Sequence, residues 1–526
     1  MRQVDAWRPS RRDILKLGMA AGVAGLTGLA GCGAVPAKPD QNAPQLRGGV
    51  YSHGATGGGL KDTLEPYFPV TNPDIARCMQ LYEPLLRWDA NYEIEPSVAE
   101  SATPNGDNTQ WTIKLRDDVE FHNGKTLTAE DVMFSLGKVT DPDKPGSGGT
   151  ELAKILELKN SKIVDPKTIL LQLNQPYAVL DQLLAEYTVG MLPTDFDVNR
   201  PVGTGPFKFN RFVPGQLSQF DRHDNYWDGP PFVDQLIIYD FADDAAKVNA
   251  LLAGQVQSVD NLPNYLAGTI EQQGASPLIS ETGAWVPFTM RVDVAPFSDV
   301  RVRQALRLIV DRQQMIDQAL NGFGILGNDM YSPFDPAYAK DLPQRVQDID
   351  QAKSLLKSAG KEGLTVDLHT TNGAAGMVEL ASVFASQAKA AGVNITVKND
   401  PNYYGDAYLK LAFSVDFWGT RGYLNQVQQG SLPTSPYNET HWPPKSGEGS
   451  DFGDLYKQAL AETDENKRID IQHQMQQYEY DLGGYIIPYF NSLIDGHSTK
   501  VKGLTPSKGT LNLAGFGHGF RTIWFG

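Results

Sequence analysis

A strand–helix–strand pattern in the second half of the chain constrains the fold most. Apolar residues alternate over residues 364–368, a helical pattern covers residues 376–391, and alternation resumes at residues 393–397. This spacing predicts a βαβ unit and therefore a region of α/β class. Just before it, apolar residues recur at helical spacing over residues 299–320 and 350–360, which predicts two further helices.

The remainder of the chain predicts a more mixed architecture. Residues 80–240 carry fewer helical patterns and include a strand-like stretch at 111–115, which indicates an α+β region. The 526-residue length exceeds that of one ordinary domain and predicts at least two. The two cysteines, Cys32 and Cys78, exclude a fold held by a disulfide network, and we expect Cys78 to be a small buried apolar residue.

Charge narrows the range of partners. Acidic residues outnumber basic ones by 62 to 46, which gives a formal net charge of −16. A surface of that sign repels phosphate backbones, so we expect no nucleic-acid partner. Mean hydropathy is slightly negative, which excludes a protein with many membrane spans.

The first 31 residues are typical of an export signal. Four arginines precede an apolar run over residues 14–30, which ends in the sequence LAGC at residues 29–32. The ending resembles a bacterial lipobox, in which Cys32 becomes the lipid-modified first residue, and SRRDILK at residues 10–16 resembles a twin-arginine (Tat) export motif. The alternative is an ordinary cleaved signal with a chance cysteine. We predict an exported protein that is lipid-anchored to the outer face of the cell membrane or periplasmic.

Motifs that carry catalytic or metal chemistry are missing from the sequence. The stretch Gly124-Lys125-Thr126 resembles the end of a phosphate-binding loop, but Val119 stands where that loop requires glycine. The eight histidines are scattered singly, so no local metal motif forms. We therefore predict no catalytic residues, no cofactor and no metal.

Aromatic residues crowd residues 403–442, with a single arginine, Arg421, among them. One interpretation is core packing. The other is a cleft in which aromatic rings stack on a ligand and the arginine holds an anionic group. On the second interpretation, the candidate ligand-binding residues are Arg421, Trp418, Tyr423, Tyr404 and Trp442.

Several stretches together resemble one known family, the bacterial extracellular solute-binding proteins of family 5, which serve peptide/nickel-type ABC importers. The strongest is LRDDVEFHNGKTLTAEDV at residues 115–132. The others are LYEPLL at 81–86, EPSVAES at 95–101, VGTGPF at 202–207, NYW at 225–227, PFSDVRVRQA at 296–305 and IIP at 486–488. They occur in the family's order and span nearly the whole chain after the signal.

The resemblance implies an α/β fold of the periplasmic-binding-protein type (class C, type II-like): two lobes that close on a ligand, and an extra α+β subdomain inserted in the first. We expect residues 1–31 to be the signal and 32–49 a flexible tether. The first lobe is expected to comprise residues 44–75, 200–287 and 490–526. The inserted subdomain would cover 76–199 and the second lobe 288–489. Residues 128–131 have the sequence of a helix start, with Thr128 as the expected N-cap.

The resemblance also implies a function without enzymatic activity. A ligand held between closing lobes would be delivered to a membrane permease driven by separate ATPase subunits. We expect a monomer that binds a peptide or peptide-like small solute. In peptide-binding members an aspartate after the lobe-2 tryptophan pairs with the peptide's amino group, whereas here Arg421 stands near that place and favours an anion.

Other interpretations remain open at this point. The ligand could be an opine or an oligosaccharide. The chain could instead be a secreted carbohydrate-active hydrolase, although no catalytic carboxylate pair is identifiable from the sequence. It could also be a receptor or chaperone that uses the same fold without transport.

Overall fold

The computed structural model describes residues 45–374, 376–509 and 517–526. The predicted signal, the lipidated Cys32 and most of the predicted tether lie outside the described residues. At the carboxyl end of that tether, the Gly48 amide donates to the Phe232 carbonyl (2.7 Å) and Leu46 bridges to Phe525. These residues are therefore attached to the body of the protein, and the extent of the tether predicted for 32–49 stays a prediction.

Strands and helices alternate along the described chain. The strands are β1 (Val50–Thr56), β2 (Leu86–Trp88), β3 (Ile94–Pro96), β4 (Ala99–Pro104), β5 (Gln110–Leu115), β6 (Lys162–Asp165), β7 (Thr168–Gln172), β8 (Phe207–Val213), β9 (Leu217–Arg222), β10 (Gln235–Phe241), β11 (Ser258–Val259), β12 (Ala275–Trp285), β13 (Phe288–Met290), β14 (Gly324–Leu326), β15 (Thr365–Thr370), β16 (Asn394–Asn399), β17 (Phe413–Val415), β18 (Tyr485–Ile486), β19 (Tyr489–Ser498), β20 (Val501–Lys502) and β21 (Trp524–Phe525). The α-helices are α1 (Asn72–Leu81), α2 (Ala129–Val139), α3 (Gly149–Ile155), α4 (Leu180–Leu184), α5 (Asp244–Leu252), α6 (Ala267–Gln272), α7 (Val300–Ile309), α8 (Arg312–Ala319), α9 (Ile349–Ser358), α10 (Met377–Ala388), α11 (Tyr423–Gly430), α12 (Phe452–Ala461) and α13 (Glu465–Leu482).

The first large sheet gathers distant parts of the chain. Its order is β12-β19-β11-β1-β10-β9-β8, with β14 paired to β19. Strand β1 runs parallel to both β10 and β11, whereas the remaining pairs are antiparallel. Tyr51 and Ala55 of β1 are fully buried, because this strand lies in the middle of the sheet.

The second sheet contains the predicted βαβ unit. Its order is β16-β15-β17-β13-β18, and β15 and β16 run parallel with α10 between them in the chain, which confirms the prediction. A separate hydrophobic core, including Phe288, Leu306 and Phe384, fills the space between this sheet and its helices. The single helix predicted over 299–320 is instead two, because Val310 takes an extended conformation and the Asp311 side chain caps a new helix through the Gln314 amide.

A third sheet, β4-β5-β7-β6, forms the α+β region predicted from the helix-poor part of the sequence. Helix α2 starts beside it. Thr128 and Asp131 form a capping box, in which the Asp131 carboxylate also accepts from the Lys125 ammonium group at 2.6 Å. The predicted cap is confirmed, and the strongest sequence motif thus stabilises the start of α2.

The fold is a two-lobe α/β fold, with the first and second sheets in different lobes. Two of the connections between these sheets are short, residues 286–287 between β12 and β13 and residues 487–488 between β18 and β19. Strand β14 lies in the segment predicted for the second lobe but joins the first sheet. The exact lobe boundaries stay a prediction.

Candidate ligand-binding cleft

A cavity of about 800 Å³ lies where several distant segments meet. One wall comes from residues around β2 and β3 and from the segment after α4. Another comes from the loop that follows β17 together with α11, and a third from the C-terminal residues 503–509 and 518–522. A space of this size holds a solute of a few amino-acid units.

The loop after β17 is fixed at the junction between the sheets. The Asp416 carboxylate accepts from the Phe417 amide (2.8 Å) and from the Tyr404 hydroxyl (2.9 Å). Trp418 exchanges two backbone hydrogen bonds with Trp285, the last residue of β12, and the two indole rings stack with centroids 5.9 Å apart. The loop therefore has a rigid base formed by aromatic residues.

Arg421 extends from this loop to the cavity wall. Its guanidinium carbon lies 5.5 Å from the centre of the Trp418 ring, which is a cation–π contact. Its Nη1 atom is buried and has no hydrogen-bond partner among the described residues. The Tyr92 hydroxyl donates to the neighbouring Thr420 carbonyl at 3.1 Å and ties the loop to the wall that contains β2 and β3.

Glu186 is part of the cavity wall that follows α4. Burial raises the pKa of its carboxyl, and the charge of Arg421 and the indole N–H of Trp88 partly offset that rise. Trp88 and Tyr92 are stacked face to face with ring centres 4.1 Å apart, and both belong to the same wall. A carboxyl group and flat rings thus lie together on the side of the cavity that does not include Arg421.

A second arginine, Arg87, lies on the cavity wall with more partners. Its Nε donates to Glu95 at 2.6 Å and its Nη2 to Asp228 at 2.9 Å, whereas its Nη1 is buried without a hydrogen-bond partner in the described chain. Arg521 shares Asp228 at 3.1 Å. Two opposing carboxylates neutralise this arginine pair, so the cluster is largely complete without a ligand.

Of the five residues predicted to bind ligand, only Arg421 lines the cavity, with Trp418 in contact with it. The Tyr423 hydroxyl donates to Glu479 at 2.8 Å. Trp442 is 2% exposed and packs on Phe452, and Tyr404 is 47% exposed and bonded to Asp416. Tyr423, Tyr404 and Trp442 do not contribute to this cavity, and a ligand-binding role for them stays a prediction.

Sequence reasoning missed Glu186, Arg87 and the stacked pair Trp88 and Tyr92. They lie in the helix-poor region, where no aromatic cluster or motif singles out individual charged residues. Within the described ranges, no group of three or more histidine, cysteine, aspartate or glutamate side chains is arranged to hold a metal ion. No helix in that same part of the chain is both long enough and apolar enough to cross a bilayer.

Two lobes of α/β structure around a polar and aromatic cavity define a solute-binding protein of the periplasmic type. The family model of the bacterial extracellular solute-binding proteins, family 5 (middle region), matches residues 93–440, so the chain belongs to that family. This family consists of binding proteins of ABC transporters, not of enzymes, which confirms the prediction that the chain is not an enzyme.

Relatives of known name support the same assignment. Haem-binding protein A of Haemophilus influenzae is 32% identical over 315 residues, which cover 54% of this chain and 57% of that protein. The dipeptide-binding protein of Escherichia coli is 27% identical over 483 residues, which cover 81% and 87%. The chain therefore spans less than two thirds of the haem-binding relative but most of the dipeptide-binding one.

Solved structures share the fold. The substrate-binding protein CtaP of Listeria monocytogenes superposes with a TM-score of 0.80 at 20% identity, covering 91% of this chain and 99% of that one. The binding protein AgaA of A. tumefaciens, solved with agropinic acid, gives a TM-score of 0.72 at 23% identity and covers 91% and 99%. At these identities the likeness establishes the two-lobe fold and leaves the ligand to other arguments.

Proposed function

We propose that this protein is the substrate-binding component of an ABC importer and captures a peptide-like small solute with an anionic group between its lobes. The observation that carries the proposal is the Arg421 guanidinium, which lies on the cavity wall with a buried Nη1 that lacks a partner in the described chain. Burial without a partner costs free energy, so an acceptor supplied by a ligand is favoured at this position. A carboxylate supplies both the charge and the hydrogen bond.

The position of Arg421 suits capture by closure. The arginine belongs to the loop that follows β17 of the second sheet and is held at the junction between the sheets by the pairing of Trp418 with Trp285, and the opposite wall belongs to the region of β2 and β3. A ligand that bridges these walls binds the closed form better than the open form and therefore shifts the population toward closure. The closed complex is the form that would dock on a permease driven by separate ATPase subunits.

Export and anchoring form part of the proposal. The family's description as extracellular supports export of the chain, and we propose that residues 1–31 direct it, with lipid on Cys32 holding the protein at the outer face of the membrane. The names of the relatives favour a peptide-like ligand, because one binds dipeptides and others bind glutathione or oligopeptides. The solved relative with agropinic acid makes an opine the second candidate, and it too is an acid.

Native mass spectrometry of the protein, purified from a host that exports it, tests the ligand class. We expect a retained small molecule whose mass corresponds to a compound with at least one carboxylate. A retained ligand without any acidic group would contradict the proposal.

Arg421→Ala tests the role of the arginine directly. Loss of one charge-assisted hydrogen bond corresponds to about 1.5–3 kcal/mol, so we expect the affinity for the retained ligand to fall by about tenfold or more in titration calorimetry. Arg211→Ala, at an exposed position of β8, is the matched control and should leave affinity unchanged. Equal affinities of the wild type and Arg421→Ala would reject the role.

A further inference from the structure

Most charged side chains on the cavity wall already have partners within the protein. The pairs are Glu83 with Tyr226 and Trp227, Arg87 with Glu95 and Asp228, Arg521 with Asp228, and Glu151 with Lys154 and Gln428. The Asp89 carboxylate accepts backbone amides of its own turn, from Asn91 and Glu93. These groups therefore add polarity to the cavity but need no charged group from a ligand.

Two charges of opposite sign remain, Glu186 and Arg421. Neither makes an ion pair with any described residue, although both line the same cavity. They are near enough that the guanidinium lowers the pKa of the Glu186 carboxyl, yet they do not form a salt bridge with each other. Two opposite charges that face one cavity without touching leave a gap that a ligand carrying both signs can fill.

The surroundings of Glu186 suit an ammonium group. The Trp88 indole and the Tyr92 ring stack face to face in the same wall, and a cation beside flat rings and a carboxylate is stabilised by both. Tyr92 also ties this wall to the loop of Arg421, because its hydroxyl donates to the carbonyl of Thr420, the residue before Arg421.

We infer that the ligand is a zwitterion whose carboxylate pairs with Arg421 and whose ammonium group pairs with Glu186. This inference rests on the proposed function and adds to it an ammonium group that pairs with Glu186. A ligand with only a carboxylate would neutralise Arg421 and bring its own negative charge toward Glu186, which is unfavourable at short range. A ligand with both groups neutralises both Arg421 and Glu186, so the closed form contains no uncompensated charge at these two residues.

Peptides blocked at one terminus test the ammonium contact and the carboxylate contact separately. We would titrate the protein by calorimetry with dialanine, N-acetyl-dialanine and dialanine amide, and with reduced glutathione and its N-acetyl derivative. The wild type should bind each free compound at least tenfold more tightly than its N-acetyl form, and dialanine at least tenfold more tightly than the amide. Absence of binding by both free compounds, or equal binding of free and acetylated forms, would overturn the zwitterion assignment.

Variants assign each preference to a residue. Glu186→Gln should abolish the preference for the free amine and keep the preference for the carboxylate over the amide. Arg421→Ala should abolish the preference for the carboxylate over the amide and keep the preference for the free amine. Glu281→Gln, at an exposed position of β12, is the matched control and should keep both preferences. A Glu186→Gln protein that still discriminates against the acetylated compounds overturns the inference.

The two proposals fail in different ways. If native mass spectrometry finds a retained acid without an amine and Arg421→Ala weakens its binding, the zwitterion assignment is wrong and the proposed function stands. If the retained ligand has no acidic group, the proposed function fails together with the inference. If Arg421→Ala leaves the ligand affinity unchanged while Glu186→Gln weakens binding, the pairing of the ligand's carboxylate with Arg421 is wrong.

Discussion

Arg77 in helix α1 and Arg421 in the cavity wall show how one side-chain type serves two purposes. Arg77 is 0% exposed and donates to Asp74 at 2.8 Å, to Asp240 at 2.6 Å and to Ser218 at 2.9 Å. Arg421 instead lies over Trp418, and its buried Nη1 has no partner among the described residues. Both arginines bury at least one guanidinium nitrogen on folding, but only Arg77 has ion pairs within the described residues.

The difference separates structural from binding arginines. A buried cation with every hydrogen bond made locks its elements together, and α1 is in this way tied to β10 through Asp240 and to β9 through Ser218. A cation with an open donor leaves free energy to be gained when an acceptor arrives. The open donor together with the absence of an ion pair among the described residues thus distinguishes Arg421 from Arg77.

Arg77→Ala should have the largest effect. Removing the cation leaves several buried carboxylates without their partner, and we expect a loss of about 3–5 kcal/mol in the free energy of unfolding. Arg421→Ala removes no internal ion pair, so its loss should be about 1 kcal/mol or less. Urea denaturation of both variants measures the contrast, and equal losses for the two would remove the distinction drawn above.

Glu479 sharpens the comparison, because its buried carboxyl has hydroxyl partners but forms no salt bridge with any residue that the structure describes. It accepts from Tyr331 (2.6 Å), Tyr423 (2.8 Å) and Ser431 (2.9 Å), and burial raises its pKa to about 7. The folded protein therefore holds a proton on Glu479 between about pH 4.5 and 7 that the unfolded chain releases. This residue's contribution to stability consequently increases as the pH falls from 8 to 5.

Glu479→Gln should remove that pH dependence. Relative to this variant, the wild type should gain on the order of 2 kcal/mol in the free energy of unfolding as the pH is lowered from 8 to 5. Urea denaturation at both pH values measures the difference between the proteins and cancels the effect of other titrating groups. Parallel pH dependences for the two proteins would show that Glu479 keeps an ordinary pKa.

Tyr404→Phe should have the smallest effect. The change removes one hydrogen bond to Asp416 from a half-exposed ring that does not line the cavity, and Asp416 keeps its bond from the Phe417 amide. We expect ligand affinity to change by less than about twofold in calorimetry. A tenfold loss would mean that the loop after β17 depends on Tyr404 as well as on Trp418 for its position.

Local patterns in the sequence predicted local structure well. The alternation and periodicity around residues 364–397 gave the βαβ unit, and the cap at Thr128 is present. The helix predicted over 299–320 was wrong as a single element, because apolar periodicity continues through Val310 while Asp311 begins a new helix. Apolar periodicity indicates which face of a segment is buried, but it does not indicate whether the helix is continuous.

The candidate site was predictable only in part. Arg421 and Trp418 are near neighbours in the chain, and a lone arginine among aromatic residues drew attention to both. Glu186 and the stacked rings of Trp88 and Tyr92 reach the same cavity from a different region of the chain. No spacing rule relates such distant positions, since their proximity comes from sheet pairing and not from local geometry.

The sequence by itself determined the α/β class, the family through its ordered motifs, and an arginine suited to an anion, because each depends on residues close together in the chain. Only the tertiary structure decided that Tyr423 and Trp442 belong to packed interiors and that Arg421 and Glu186 face one cavity. Whether a buried charge is structural or available to a ligand depends on the partners that folding brings to it, and those partners come from distant segments.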